Sequence, residues 1–192
     1  SQKCPITEPS QDLPFWNCPR IFTLCDGRLA LVVDSVGTDE RSREHDKLKN
    51  YMFFSEDGGV SWSQPILTPA LGIVPDSLCE LDTGRWLLTC HVRDPEIDNL
   101  VTRLWYSDDQ GKNWQGPVTV GRKKGLNLCE ASLIEVDDKL VAFFRENSGC
   151  GWDCFKSISE DHGESWSEPV NFPLPACHRP VAGILNDGHI MI

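Results

Sequence analysis

No CxxC pair occurs among the nine cysteines of this chain. That argues against a zinc ribbon or a thioredoxin-type dithiol. No stretch approaches the roughly 18 consecutive apolar residues that a membrane helix needs, and no leader peptide is visible at the N-terminus. The compartment stays open: secreted or periplasmic if a leader has been removed, cytoplasmic otherwise. Positive charge is scarce, with 18 Lys and Arg against 29 Asp and Glu and a net charge of −11. Such a surface repels phosphate backbones, so nucleic acid is not an expected partner. Ser-His-Asp constellations, glycine-rich phosphate loops and basic-aromatic patches are absent. No cofactor and no metal is expected. His178 with Cys18, Cys129 and Cys177 could form a metal site, but a shared packing role explains those cysteines equally well. Cys150 and Cys154 are close enough in sequence to bridge under oxidising conditions.

What is abundant is repetition. Ser55-Glu-Asp-Gly-Gly-Val-Ser-Trp62 recurs as Ser107-Asp-Asp-Gln-Gly-Lys-Asn-Trp114 and as Ser159-Glu-Asp-His-Gly-Glu-Ser-Trp166, each start 52 residues after the last. The pattern describes a β-hairpin tip. The Asp accepts hydrogen bonds from amides of its own turn, and the Gly two residues on supplies a positive φ. The Trp then folds back as an apolar plug. A strand-like segment precedes each octamer: residues 50–54, 101–106 and 154–158.

Upstream of each of those strands lies another repeated unit, an apolar strand, an Asp- or Gly-containing turn and a second apolar strand. The copies are 21–25 with 29–33, 77–81 with 86–90, and 131–136 with 140–144. A fourth begins at 181–185. Four short strands and no helix in every 52 residues predict an all-β fold, a β-propeller of four-stranded blades. The chain is expected to be one partial propeller domain over 1–192, with repeats at roughly 19–70, 71–122 and 123–174 and a fourth started at 175–192. That is about 3.7 blades.

The octamers resemble the Asp boxes, or BNR repeats, of the sialidase (neuraminidase) superfamily, and the resemblance runs from Pro19 to Ile192. It implies sialidase-type blades in a six-bladed ring, of which this chain would form about half. It also implies a carbohydrate ligand. Open blade edges would favour self-association as a homodimer, or completion by a missing remainder of the propeller.

In a propeller the innermost strand of each blade faces the central channel. The charged residues heading those strands are Arg20, Asp76, Glu130 and Arg179, with His178 adjoining. Arg20-Ile21 is similar to the Arg-Ile of the family's Phe/Tyr-Arg-Ile-Pro motif, with Phe22 replacing the proline. By resemblance, Arg20, Arg145 and Arg179 would form the triad that clamps a substrate carboxylate through guanidinium forks. Glu130, heading a segment that ends in Arg145, resembles the glutamate that activates the family's tyrosine nucleophile. Asp46, ahead of Asp39, is the candidate for the acid/base aspartate. Asp76 and Glu130 could instead pair as acid and base of another glycosidase.

Departures from the family pattern are specific. Glu130 comes one blade earlier than usual, and no arginine follows Val33-Asp34-Ser35. The family's tyrosine nucleophile has no counterpart, because Tyr51 and Tyr106 both precede Asp boxes. The expected function is a glycoside hydrolase-like protein acting on an anionic, sialic-acid-like glycoside. The alternative is a non-catalytic glycan- or protein-binding propeller fragment.

Overall fold

The computed structural model describes residue 6 and residues 15–36, 48–151, 153–175 and 177–192. Regular structure among the described residues is entirely β. Three four-stranded antiparallel sheets follow one another. The first holds β1 (Phe15–Thr23), β2 (Leu29–Val36), β3 (Lys49–Ser55) and β4 (Ile66–Leu71). The second holds β5 (Ile73–Glu80), β6 (Trp86–Asp94), β7 (Asn99–Ser107) and β8 (Gln115–Gly121). The third holds β9 (Leu128–Val136), β10 (Lys139–Glu146), β11 (Asp153–Ser159) and β12 (Val170–Pro175). A two-stranded pair, β13 (Gly183–Ile184) and β14 (Ile190–Met191), closes the described chain. Each sheet is a meander with its first strand innermost, and β1, β5 and β9 pack side by side. These are β-propeller blades of the sialidase type.

The blades hold together because their second strands are sandwiched on both faces, which is why those strands read as continuous apolar runs. Successive β6 residues bury in opposite directions. Trp86 and Leu88 join Ala30, Val32 and Met52 of the first blade, whereas Leu87 joins Leu133, Leu140 and Phe144 of the third. The fourth strands β4 and β12 are largely exposed, whereas Val120 of β8 is buried in the core. A repeated polar contact accompanies the packing. The Cys25 amide donates to Glu80 Oε2 at 2.7 Å, and the equivalent Asp82 amide donates to Glu135 Oε2 at 2.9 Å.

The octamers connect the third and fourth strands and form the tips the pattern predicts. In the first, Ser55 Oγ donates to Asp57 Oδ1 at 2.8 Å and accepts from the Gly59 amide at 2.8 Å. Asp57 also accepts from the Val60 and Ser61 amides, and Trp62 Nε1 donates to the Gly59 carbonyl at 3.2 Å. Ser107–Asp109–Trp114 and Ser159–Asp161–Trp166 repeat this network. The glycines take φ values of 91°, 79° and 93°, a region that disfavours a Cβ. Hydrogen bonds from the Ser61 side chain and amide hold Asp57 at about 2, and those from the Asn113 amide and side chain hold Asp109 at about 2.

Candidate functional site

Strand register sets which side chains can meet. Leu29, Trp86 and Leu140, at the start of the second strands, pair with the serines that open the boxes, Ser55, Ser107 and Ser159. The boxes therefore lie at the end of each blade where the first strand finishes. The heads of the first strands and the tails of the second strands lie together at the opposite end. Counting along β2, β6 and β10 from those anchors brings Asp34, His91 and Arg145 to the same level, one from each blade. All three are polar at the end of an apolar run.

The first strands facing them are all bulged there. In β1, Asn17 pairs with Asp34 but Arg20 pairs with Val32, so Cys18 and Pro19 share one partner. In β9, Cys129 pairs with Arg145 and Ser132 with Phe143, leaving Glu130 and Ala131 opposite Phe144. In β5 the register shifts twice around Pro75 and Asp76. Bulges bend a strand and re-aim its side chains, and they recur beside functional sites. Cys18 and Glu130 occupy matching bulge positions and both take positive φ, 47° and 48°. Arg20, Asp76 and Glu130 are not level with one another: Arg20 aligns with Ser77 and Ser132, and Glu130 aligns with Cys18 and Pro75.

Two ion pairs result. His91 Nδ1 lies 3.1 Å from Asp76 Oδ1 and 3.2 Å from Oδ2, with side-chain exposures of 4% and 0%. Arg145 Nη1 lies 2.7 Å from Glu130 Oε2. The Glu130 amide approaches His91 Nδ1 at 3.5 Å across the blade boundary. Burial pushes the Asp76 carboxyl up, against the pull of His91. Burial opposes a charged His91, but Asp76 outweighs it and raises the imidazole above its ordinary range. The pair thus retains a proton that the separate groups would shed.

A cavity of about 450 Å³ opens between the first strands, and Arg20, Asp76, Ser77, Ser132 and Arg179 contribute its polar lining. Arg20 Nη1 donates to the Pro19 carbonyl at 3.0 Å, but its buried Nε has no hydrogen-bond partner among the described residues. Burial and the positive charge of Arg179 both lower the Arg20 guanidinium from its usual value, with Cys18, Asp76 and Glu130 acting the other way. A guanidinium that is desolvated, crowded by a second cation and short of an acceptor is arranged to receive an anion.

The remaining residues singled out by the sequence are placed as follows. Glu130 and Arg145 neutralise each other beside the cavity. His178 is exposed, while the next residue, Arg179, lines the cavity. Asp39 and Asp46 lie outside the described residues. No cluster suited to a metal ion occurs among the described residues. Neither tyrosine reaches the cavity: Tyr51 meets the Trp16 ring edge-on at 5.1 Å, and Tyr106 lies under Arg85 and bonds Gln115. His91 was not singled out by the sequence. Its signal was available in the second strands, where Val-Val-Asp, Thr-Cys-His and Phe-Phe-Arg end equivalent apolar runs.

The architecture recurs in solved structures. A Dyadobacter fermentans protein of unknown function is 21% identical with a TM-score of 0.79, over 95% of this chain and 57% of that one. The α-L-arabinanase of Penicillium chrysogenum, complexed with arabinobiose, is 18% identical with a TM-score of 0.71, over 96% of this chain and 59% of that one. The Hadza microbial sialidase Hz136 is 17% identical with a TM-score of 0.66, over 84% of this chain and 34% of that one. This chain therefore spans less than two thirds of the length of each. No curated protein matches it. The BNR repeat-like domain family matches residues 6–192, and with three Asp boxes on sialidase-type blades the chain belongs to that family.

Proposed function

We propose that the chain is part of a glycoside hydrolase-like propeller that binds an anionic, sialic-acid-like sugar at the cavity between its first strands. The observation that carries this reading is the meeting of two guanidiniums, Arg20 and Arg179, in the lining of one cavity. A carboxylate there would relieve the repulsion between the two guanidiniums. Arg145 orients the Glu130 carboxylate at 2.7 Å, as a general base or as the activator of a nucleophile requires. Asp76, kept protonated more readily by burial, would serve as a proton donor, and Asp46 stands as the acid/base candidate of the resemblance. The arabinanase neighbour makes a neutral pentose glycoside the competing substrate class. The Glu130–Arg145 bridge also suits a second reading, a glycan-binding propeller without turnover, because a neutralised carboxylate is a weak base.

The experiment compares binding of N-acetylneuraminic acid with its methyl ester, and hydrolysis of aryl α-sialosides with aryl α-arabinofuranosides. Binding of the acid at least about tenfold tighter than the ester supports the Arg20–Arg179 site. Equal binding of acid and ester, or turnover of the arabinoside alone, overturns it. Loss of turnover with retained binding in Glu130→Gln supports catalysis, whereas binding without turnover in the parent chain selects the second reading.

A further inference from the structure

Two cysteines that the proposed function does not use stand beside each other in the third blade. Cys154, on β11, is 1% exposed and its thiol donates to the Phe144 carbonyl at 2.9 Å. Asp153 pairs with Pro175 at the end of β12, so the chain two residues past Pro175 returns over Cys154. There Cys177 packs against the cluster formed by Ile134, Phe143 and Cys154. Cys177 is only half-buried, which leaves it a path to solvent. The partner suggested by sequence spacing, Cys150, is exposed on its loop.

The segment that Cys177 begins leads to the cavity. Arg179 follows two residues on, and the Ala182 amide donates to Ser132 Oγ at 2.9 Å. Residues 177–182 thus form a strap with Arg179 at its middle. The Ser132 end is tied by a hydrogen bond across to β9. The other end rests on the packing of Cys177 against Ile134, Phe143 and Cys154.

We propose that Cys154 and Cys177 are a disulfide-forming pair, and that their oxidation by a peroxide ties down the strap that carries Arg179. Burial and the neighbouring Cys177 push the Cys154 thiol up to about 12, so Cys177 is the sulfur that meets the oxidant first. Its thiolate attacks one peroxide oxygen and cleaves the O–O bond. Sulfenic acid forms on Cys177, and the released hydroxide takes up a proton to become water. The Cys154 sulfur then attacks the Cys177 sulfur. The S–S bond forms, the S–O bond breaks and a second water leaves. Two thiols lose two electrons and two protons, and one peroxide is reduced to two waters.

The test treats the folded chain with one equivalent of hydrogen peroxide, blocks remaining thiols with iodoacetamide, and digests without reductant. The expected product is a cross-linked peptide pair joining Cys154 to Cys177, lighter than the two reduced peptides by two hydrogens. Oxidation should raise Tm by about 5–10 °C and slow amide exchange across 178–182 by about tenfold or more. Cys177→Ser should abolish all three effects, and Cys150→Ser should retain them. Full alkylation of Cys154 and Cys177 after oxidation, or a link from Cys150 to Cys154, overturns the pair. A Cys154–Cys177 link that leaves exchange of 178–182 unchanged overturns the strap. None of these readouts depends on the sugar or on turnover.

Discussion

His91 reaches both carboxylate oxygens of Asp76, at 3.1 and 3.2 Å, from the neighbouring strand of the same blade and with almost no access to water. Both groups hold their protons more tightly in the folded chain than in the unfolded one, where the reference values are 3.8 and 6.5. The folded state therefore binds more protons, so stability must fall as pH rises. The His91 contribution is fully present below 6.5 and is lost through its raised folded value. Burial of Asp76 adds the same sign from 3.8 upward. Urea unfolding from about pH 5 to 8 should show this decline. Asp76→Asn leaves His91 buried without its anion, should cost about 3–5 kcal/mol at pH 5.5, and should flatten the slope. An unchanged slope in the variant contradicts the shared proton.

The Asp boxes predict the opposite pH response. Asp57 and Asp109 sit at about 2, well below their unfolded value of 3.8. Their stabilisation is present above 3.8 and disappears as pH falls toward 2. Asp109→Ala should therefore lower Tm at pH 7, while the variant and the parent converge near pH 2. A gap in Tm that persists undiminished at pH 2 would show that the box carboxylate acts through packing rather than through its charge.

Gly72 joins the first blade to the second at φ +130°, and a Cβ built there would meet the His91 carbonyl oxygen at 2.4 Å and Val92 Cγ1 at 2.8 Å. Backbone cannot yield as a side chain can. Gly72→Ala should destabilise the chain by about 2–4 kcal/mol. Because the collision falls on the strand bearing His91, the imidazole resonances should move in NMR spectra. Wild-type stability in this variant would mean that the junction is loose.

Arg85 bridges two blades. Its Nε binds Asp108 Oδ1 at 2.6 Å, its Nη1 binds Glu164 Oε1 at 3.0 Å and the His162 carbonyl at 3.3 Å, and its guanidinium lies 4.4 Å from the Tyr106 ring centre. A lysine has neither the planar fork nor the stacking face. Arg85→Lys should cost about 1 kcal/mol and Arg85→Ala about 2 kcal/mol in denaturant unfolding. Equal, negligible losses would place this network among the surface pairs that contribute little.

The blade was legible in the chain because its determinants are local. An Asp box is a turn whose donors and acceptors lie within eight residues, so Ser55, Asp57, Gly59 and Trp62 announce it without help from the rest of the molecule. The apolar runs at 86–90 and 140–144 likewise declared strands. The candidate site was legible only in part. Arg20, Asp76 and Arg179 stood out as charges heading apolar strands, and they do line one cavity. Their relative heights did not follow from counting, because each first strand inserts extra residues at its bulge and shifts every side chain beyond it.

The sequence by itself determined the repeat, the four-strand blade and the box chemistry, all of which arise from hydrogen bonds and alternation between near neighbours. Tertiary structure alone decided that Asp34, His91 and Arg145 stand level, that Asp76 pairs with His91 while Glu130 pairs with Arg145, and that Arg20 is left facing Arg179. Those outcomes depend on register between strands and on packing between blades. Burial then sets the strength of each charge contact, because a group removed from water feels its partners far more than the same group in a solvated turn.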